Sequence, residues 1–415
     1  MKRTPLAALA LVLSALPASA QAPKISGLVQ IWYTQMMDSN LRLNSAPAIG
    51  GYYNLRSEFK ENTFAVRRTE LKFSGKIWEE EGKSLDYEVM IDPSINTSAS
   101  NPTILQDAAL HLKLNGGIEF KVGQFKNLQT FEGIMSSSEL MFAERAQMTR
   151  TFGDKRDRGA MASYAFGDPK AFGTKILVGA FNGMNDSFAG KANDSNAQKD
   201  LVARVEFTAA KAHKFGFYTL QGSTDQTDKG TLAAKTFNGL AVTPASTADI
   251  LNYKDKTSNY GAYYVYQDAT WTFMAEAMTG LLGRRNPSVG AAGAAGRERL
   301  DQNFLGYYAA GAYTTGRNTF ALRFDTMNYN QKDEWYTAYN PYTNSNATTS
   351  LGADYSPKFT EATLGWTYAF KPESVKAANL KLNYVARSKN FLRPRAGQTG
   401  EQGGDTLMVA FQVAF

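Results

Sequence analysis

The chain has 415 residues, with 45 Lys and Arg against 38 Asp and Glu, a formal net charge of +7, two His and no Cys. Zero Cys excludes a disulfide scaffold, a thiolate metal site and a Cys nucleophile, and two His leave no His-rich metal site. The mild positive charge is spread along the chain, which is not the footprint of a nucleic-acid binder.

The first twenty residues read as an address. Lys2 and Arg3 precede the apolar run Leu6–Leu16, and Ala18-Ser19-Ala20 is a cleavage signal. Residues 1–20 are therefore predicted to be a signal peptide, and 21–415 a single domain. No later segment offers 18 consecutive apolar residues, so no helix is expected to span a membrane. Aromatic content is nonetheless 12% while the mean hydropathy is −0.36.

Alternation of apolar and polar residues then runs along the chain. It predicts strands at 25–36, 62–77, 84–92, 105–114, 117–125, 157–166, 174–182, 199–209, 213–222, 258–267, 270–280, 302–315, 317–328, 358–370, 378–388 and 404–415. In "IEFKV", Ile118, Phe120 and Val122 oppose Glu119 and Lys121; in "LVARVEF", Leu201, Ala203, Val205 and Phe207 oppose Arg204 and Glu206. The last stretch is the most regular: Leu407, Val409, Phe411, Val413 and Phe415 share one face.

The connections alternate long and short. The long ones are 37–61, 93–104, 126–156, 183–198, 223–257, 281–301, 329–357 and 389–403. Sorting of loops by parity, with about sixteen strands, predicts an all-β, closed antiparallel transmembrane barrel with long loops on one side and tight turns on the other. Closure satisfies every backbone group in lipid and leaves no edge.

One stretch departs from the pattern. "TFEGIMSSSELMFAERAQMTRTFGD", Thr130–Asp154, lies in the third long loop and carries helix formers from Glu139 to Met148 behind three serines that can cap. A single short helix is predicted there. Ile134, Met135, Leu140, Met141, Phe142 and Met148 need a surface to pack on, and the inner wall is nearest. The loop is therefore expected to fold inward as a constriction. Its charges, Lys126, Glu132, Glu139, Glu144, Arg145 and Arg150, balance, so it is expected to set size more than sign.

Strand parity sends Arg68, Lys72, Lys76, Lys121, Arg204, Arg323, Lys381 and Arg387 to the lumen, with Glu70, Glu119, Glu206 and Asp325 among them. Basic rings bias a pore toward anions, at about 1 kcal/mol per water-exposed contact. His111 and His213 read as interface or turn histidines, away from any Ser or Asp constellation. No phosphate loop, dinucleotide fingerprint or metal spacing occurs. No catalytic residue, cofactor or metal is expected.

"FAVRRTELKFSGKIW" (64–78), "LQDAALHL" (105–112), "IEFKVGQFKNLQTFEGIMSSSELMFAERA" (118–146) and "GYYAAGAYTTG" (306–316), in that order, resemble the phosphate-selective porin O and P family. The resemblance implies a sixteen-stranded outer-membrane barrel, usually a homotrimer, with the loop after the fifth strand folded inward. It also implies that an arginine pair entering the second strand contributes to anion binding; Arg67 and Arg68 match that pair. Two departures stand out. Gln124 occupies the turn where the family's phosphate binders carry a basic residue, and the basic outer loop is reduced to Arg284, Arg285, Arg297 and Arg299.

The expected function is a passive channel for small hydrophilic solutes, anion-preferring, with phosphate or related inorganic anions as candidates. Arg67, Arg68, Lys72, Lys121, Arg204 and Arg323 are its candidate pore-lining residues. Outer-membrane lipid and lipopolysaccharide are the expected surroundings, without nucleic acid. The alternatives are an outer-membrane enzyme or adhesin that acts through its loops around a plugged barrel, and a soluble exported β-protein.

Overall fold

A computed structural model describes residues 23–37, 62–94, 104–183, 199–223, 235–237, 240–242, 256–282, 302–328, 331, 358–388 and 404–415. The predicted signal peptide 1–20 and the loop arginines 284, 285, 297 and 299 lie outside the described residues.

The strands are β1 (Lys24–Met36), β2 (Thr63–Glu80), β3 (Lys83–Ile91), β4 (Leu105–Lys113), β5 (Ile118–Lys126), β6 (Arg156–Asp168), β7 (Phe172–Phe181), β8 (Asp200–Ala209) and β9 (His213–Ser223). After these come β10 (Lys235–Phe237), β11 (Leu240–Val242), β12 (Lys256–Gln267), β13 (Trp271–Leu282), β14 (Gln302–Thr315), β15 (Asn318–Asn328), β16 (Lys358–Ala369), β17 (Ala378–Arg387) and β18 (Thr406–Ala414). β1–β9 and β12–β18 close into one antiparallel barrel; β10 and β11 pair only with each other. All sixteen predicted strands are present, with ends within about three residues of those expected from periodicity. The small ribbon, inside a predicted long loop, was not anticipated.

Closure runs through β1 and β18, from Leu28↔Ala414 to Met36↔Thr406. Two backbone hydrogen bonds between Gly27 and Phe415, 2.8 and 3.0 Å, extend the seam to the last residue. Every barrel strand therefore has two neighbours, as a spanning sheet requires. The period-two pattern decides which way each side chain points. On β18, Phe411, Val413 and Phe415 are 51%, 51% and 63% exposed on the outside, while Met408, Ala410 and Gln412 are buried within. Exposed rings such as Tyr164, Phe166, Phe172 and Trp271 gather beside the tight turns, as an interfacial belt does. The turns themselves are short; Glu81 and Gly82 join β2 to β3 with φ of 47° and 78°, the pair of positive values a two-residue hairpin needs.

The main apolar cluster lies inside the barrel. Residues of the third loop, Ala143, Ala146 and Met148, meet Met278, Phe304, Met327, Phe359 and Met408 of the wall. The loop contains α1 (Phe131–Ile134), a 3₁₀ turn at Ser137–Glu139 and α2 (Gln147–Phe152). The predicted helix over Glu139–Met148 is not formed: residues 140–146 are irregular, between two short helices.

Candidate pore constriction

The loop is held to the wall first by fit. Phe142 and Met148 are each 1% exposed, and burying such side chains stabilises by about 1.5–3 kcal/mol each. Two glycines make the room. A Cβ on Gly365 would stand 2.9 Å from the Phe142 ring, and one on Gly306 would stand 2.8 Å from Met148 Cβ. At the two ends of the loop, Phe131 stacks on Tyr263 at 4.7 Å and Phe152 on Phe304 at 4.2 Å.

Hydrogen bonds from the wall explain why residues 140–146 are not helical. The Ala143 N–H donates to Asn383 Oδ1 (2.7 Å) and the Phe131 N–H to Glu276 Oε1 (2.6 Å). Lys381 donates to the Leu140 carbonyl, Arg323 to that of Glu144 (2.9 Å) and Arg204 to that of Leu128 (3.3 Å). Gln412 donates to the Ser138 carbonyl at 3.0 Å. Within the loop, Ala146 N–H donates to Glu132 Oε2 at 2.8 Å. Several backbone groups that a helix would pair internally, among them Leu140 C=O, Ala143 N–H, Glu144 C=O and Ala146 N–H, find a side chain instead, which lowers the cost of burial without a helix. The serines do cap, but only the 3₁₀ turn: Ser138 N–H donates to Ser136 Oγ at 3.3 Å.

Ion pairs complete the attachment. Arg145, 1% exposed, bonds Asp154 at 2.7 Å, as does Lys126 from the end of β5. Burial alone would push the Asp154 carboxyl up; Lys126, Arg145 and Arg156 more than offset it and hold it well below the usual carboxylate range. Arg150 reaches Glu361 on β16 at 2.8 Å, and Arg387 of β17 binds the same carboxylate at 2.8 Å. Arg323 lies 3.1 Å from Asp325 and 3.6 Å from Glu132.

Arg67 and Arg68 come together at the loop through a β-bulge. β1 pairs Gln30 with Arg68 and Ile31 with Val66, which leaves Arg67 as the extra residue. A bulge re-aims a side chain, and here two consecutive arginines meet groups inside the barrel. Arg67 donates to Glu144 Oε2 at 3.1 Å and lies 4.9 Å over the Trp32 ring. Arg68 donates to Gln30 Oε1 at 2.7 Å. Burial pushes the Glu144 carboxyl up, but Arg67 and Arg68 hold it below the ordinary range, so it is ionised.

Between the loop and the β2–β6 wall a cavity of about 670 Å³ remains. Lys72 and Lys121 border it and share Glu88, at 2.5 and 2.6 Å. His111 joins them, 3.2 Å from the same carboxylate, so it belongs to the lumen and not to an interface or turn. Sequence parity gives that position directly, since His111 shares a face with Ala109 and Lys113. Arg204 and Arg323 correct the expectation of open pore-lining cations. Each is 2% exposed and spends its guanidinium on loop carbonyls, although Arg204 also touches the edge of the cavity. Glu139 pairs with Lys376, 3.0 Å away in the β16–β17 turn, so the loop reaches the tight-turn rim. Gln124 donates to the Leu105 and Gln106 carbonyls, both at 2.9 Å. Trp32, Glu276, Asn383 and Asp154 were not singled out by sequence; the first three share inward parity on their strands, a signal that becomes specific only once the loop's position is known.

Comparison with known proteins gives a family and a fold. The family model for "Phosphate-selective porin O and P" matches residues 48–390. No curated protein matches. A loop-deletion mutant of OmpT, an outer membrane protein of Vibrio cholerae, aligns with a TM-score of 0.56 at 12% identity, covering 95% of this chain and 99% of that one. The in-vitro folded trimer form of OmpT gives 0.53 at 12%, covering 95% and 100%. An anion-selective porin from Comamonas acidovorans gives 0.53 at 12%, covering 95% and 99%. At such identity the structural likeness carries the barrel fold alone.

Proposed function

The chain belongs to the phosphate-selective porin O and P family and is an outer-membrane porin; we propose that its channel prefers small anions, with Arg67 and Arg68 as the selecting residues. The observation that carries this is the bulge at Arg67, which brings two adjacent guanidinium groups to the narrowed level of the pore. An arginine fork reads carboxylate or phosphate oxygens in pairs. Glu144 occupies part of that fork in the resting geometry, at 3.1 Å. Anions therefore pass by competing with a carboxylate, which favours moderate preference over tight capture. Lys72 and Lys121 add a weaker positive contribution below the loop, tempered by Glu88.

The finer features of the reading rest on separate supports. Residues 1–20 serve as a cleaved export signal, on the charge and apolar pattern of the sequence, and 21–415 form the single barrel domain. A homotrimer is supported by the trimer form of one structural neighbour, and outer-membrane lipid and lipopolysaccharide around it follow from reading the chain as an outer-membrane barrel. The channel acts on solutes by passage and carries out no reaction.

A planar bilayer under a KCl gradient tests the proposal. The expected reversal potential has the sign of an anion current and moves toward zero in Arg67→Ala/Arg68→Ala. A cation-signed potential would remove the anion preference. Absence of any conductance would favour the plugged-barrel alternative.

A further inference from the structure

The cavity beneath the constriction has a chemistry that anion passage does not use. It opens toward the tight-turn rim, bordered there by Gly27, Ser374 and Phe415, and neither Arg67 nor Arg68 borders it. Its charged wall sets basic and acidic side chains next to one another. At Glu88, one carboxylate meets two ammonium groups, Lys72 and Lys121, with the His111 ring 3.2 Å away. Two residues along β2 from Lys72, about 6.6 Å by strand rise, Glu70 ion-pairs with Arg68 at 3.7 Å, beyond hydrogen-bond reach, and borders the cavity. Ammonium groups and a second carboxylate thus lie side by side on one strand face. The adjoining wall is apolar: Phe125, Leu128, Met161 and Leu177 border the cavity and pack against one another.

We propose that this vestibule is a binding subsite for small zwitterions with an apolar side chain, the chemistry of a neutral amino acid. The solute carboxylate meets Lys72 and Lys121, its ammonium meets Glu70, and its side chain lies on Phe125, Met161 and Leu177. An inorganic anion gains only the first contact and meets Glu88 as a like charge. A zwitterion adds no net charge to a wall whose cations are already paired. The subsite needs only that the cavity be open to solute.

Calorimetric titration of the detergent-solubilised full chain tests it without needing a current. L-leucine is expected to bind, and glycine about tenfold more weakly for want of the side chain. On the unaltered protein, N-acetylleucine, which lacks the ammonium, and leucinamide, which lacks the carboxylate, should each bind about tenfold more weakly than leucine. Glu70→Gln and Lys121→Gln should each reproduce the corresponding loss. Equal binding of leucine, its acetyl derivative and its amide would overturn the proposal, as would no leucine binding. Inorganic phosphate that binds the same site more tightly than leucine would also overturn it. A cation-signed reversal potential with intact leucine binding would overturn the anion preference and leave this subsite standing.

Discussion

The inner wall of the barrel is two surfaces built on one alternation. Across β2–β6, the inward residues Lys72, Glu88, Asp107 and Lys121 face a cavity of about 670 Å³ and pair with each other or with a neighbour's charge. Across β14–β18, the inward residues Phe304, Met327 and Met408 are covered by the third loop, and the charges among them pair with the loop. Both halves are antiparallel ladders, regular across β14–β18 and broken by register shifts across β2–β4. What decides the lining is whether an inward side chain offers water or a loop something to hold. A bore of fixed width thus comes from composition on one side of a cylinder.

The difference can be abolished most directly at the loop's deepest side chain. Phe142→Ala should destabilise docking by about 3–5 kcal/mol; limited proteolysis should then cut the loop, and single-channel conductance should rise. Filling the holes on the wall is the converse change. Gly365→Val and Gly306→Leu should each cost about 1–3 kcal/mol of loop attachment through overpacking, read as a higher-conductance subpopulation. If conductance is unchanged in all three variants, the loop does not set the bore.

The open half responds more gently. Loss of Arg67 and Arg68 should lower the anion-to-cation permeability ratio by about fivefold, from roughly 1 kcal/mol for the one partly exposed contact, at Arg67, since Arg68 is buried. Lys72→Gln with Lys121→Gln should change it by less than about threefold, because each lysine is already paired. The smallest effect concerns pH. Glu144 and Asp154 titrate below their ordinary range, so their contribution to loop docking is complete above the ordinary carboxylate pKa and fades only as pH falls through the lowered values. Protease resistance of the loop should hold from pH 7 to about pH 5 and decline below about pH 4.

Strand positions were legible in the sequence because period two acts on every residue of a strand and lipid enforces it on one face. The inward course of the third loop was legible for a related reason: six large apolar residues from Ile134 to Met148 had no other surface. Its conformation was not. Helix propensity over Glu139–Met148 is local, whereas Asn383, Lys381 and Arg323 satisfy that backbone from strands far along the chain. The same distance hid the roles of Arg204 and Arg323. Parity placed them inside correctly, but only the docked loop decides whether inside means water or protein. The bulge at Arg67 was likewise invisible, since an extra residue in one strand is defined by its partner strand.

The reach of those bonds has a consequence for the order of assembly. Leu140 waits for Lys381 and Ala143 for Asn383, partners 241 and 240 positions away. Contacts of such separation form late, because the entropy of closing the intervening chain comes before any reward. The loop is made early and cannot settle until β17 exists and the cylinder is shut. A nascent barrel therefore passes through a stage with its full sixteen-stranded width and no filter, and the narrowing is itself a report that the last strands have been placed.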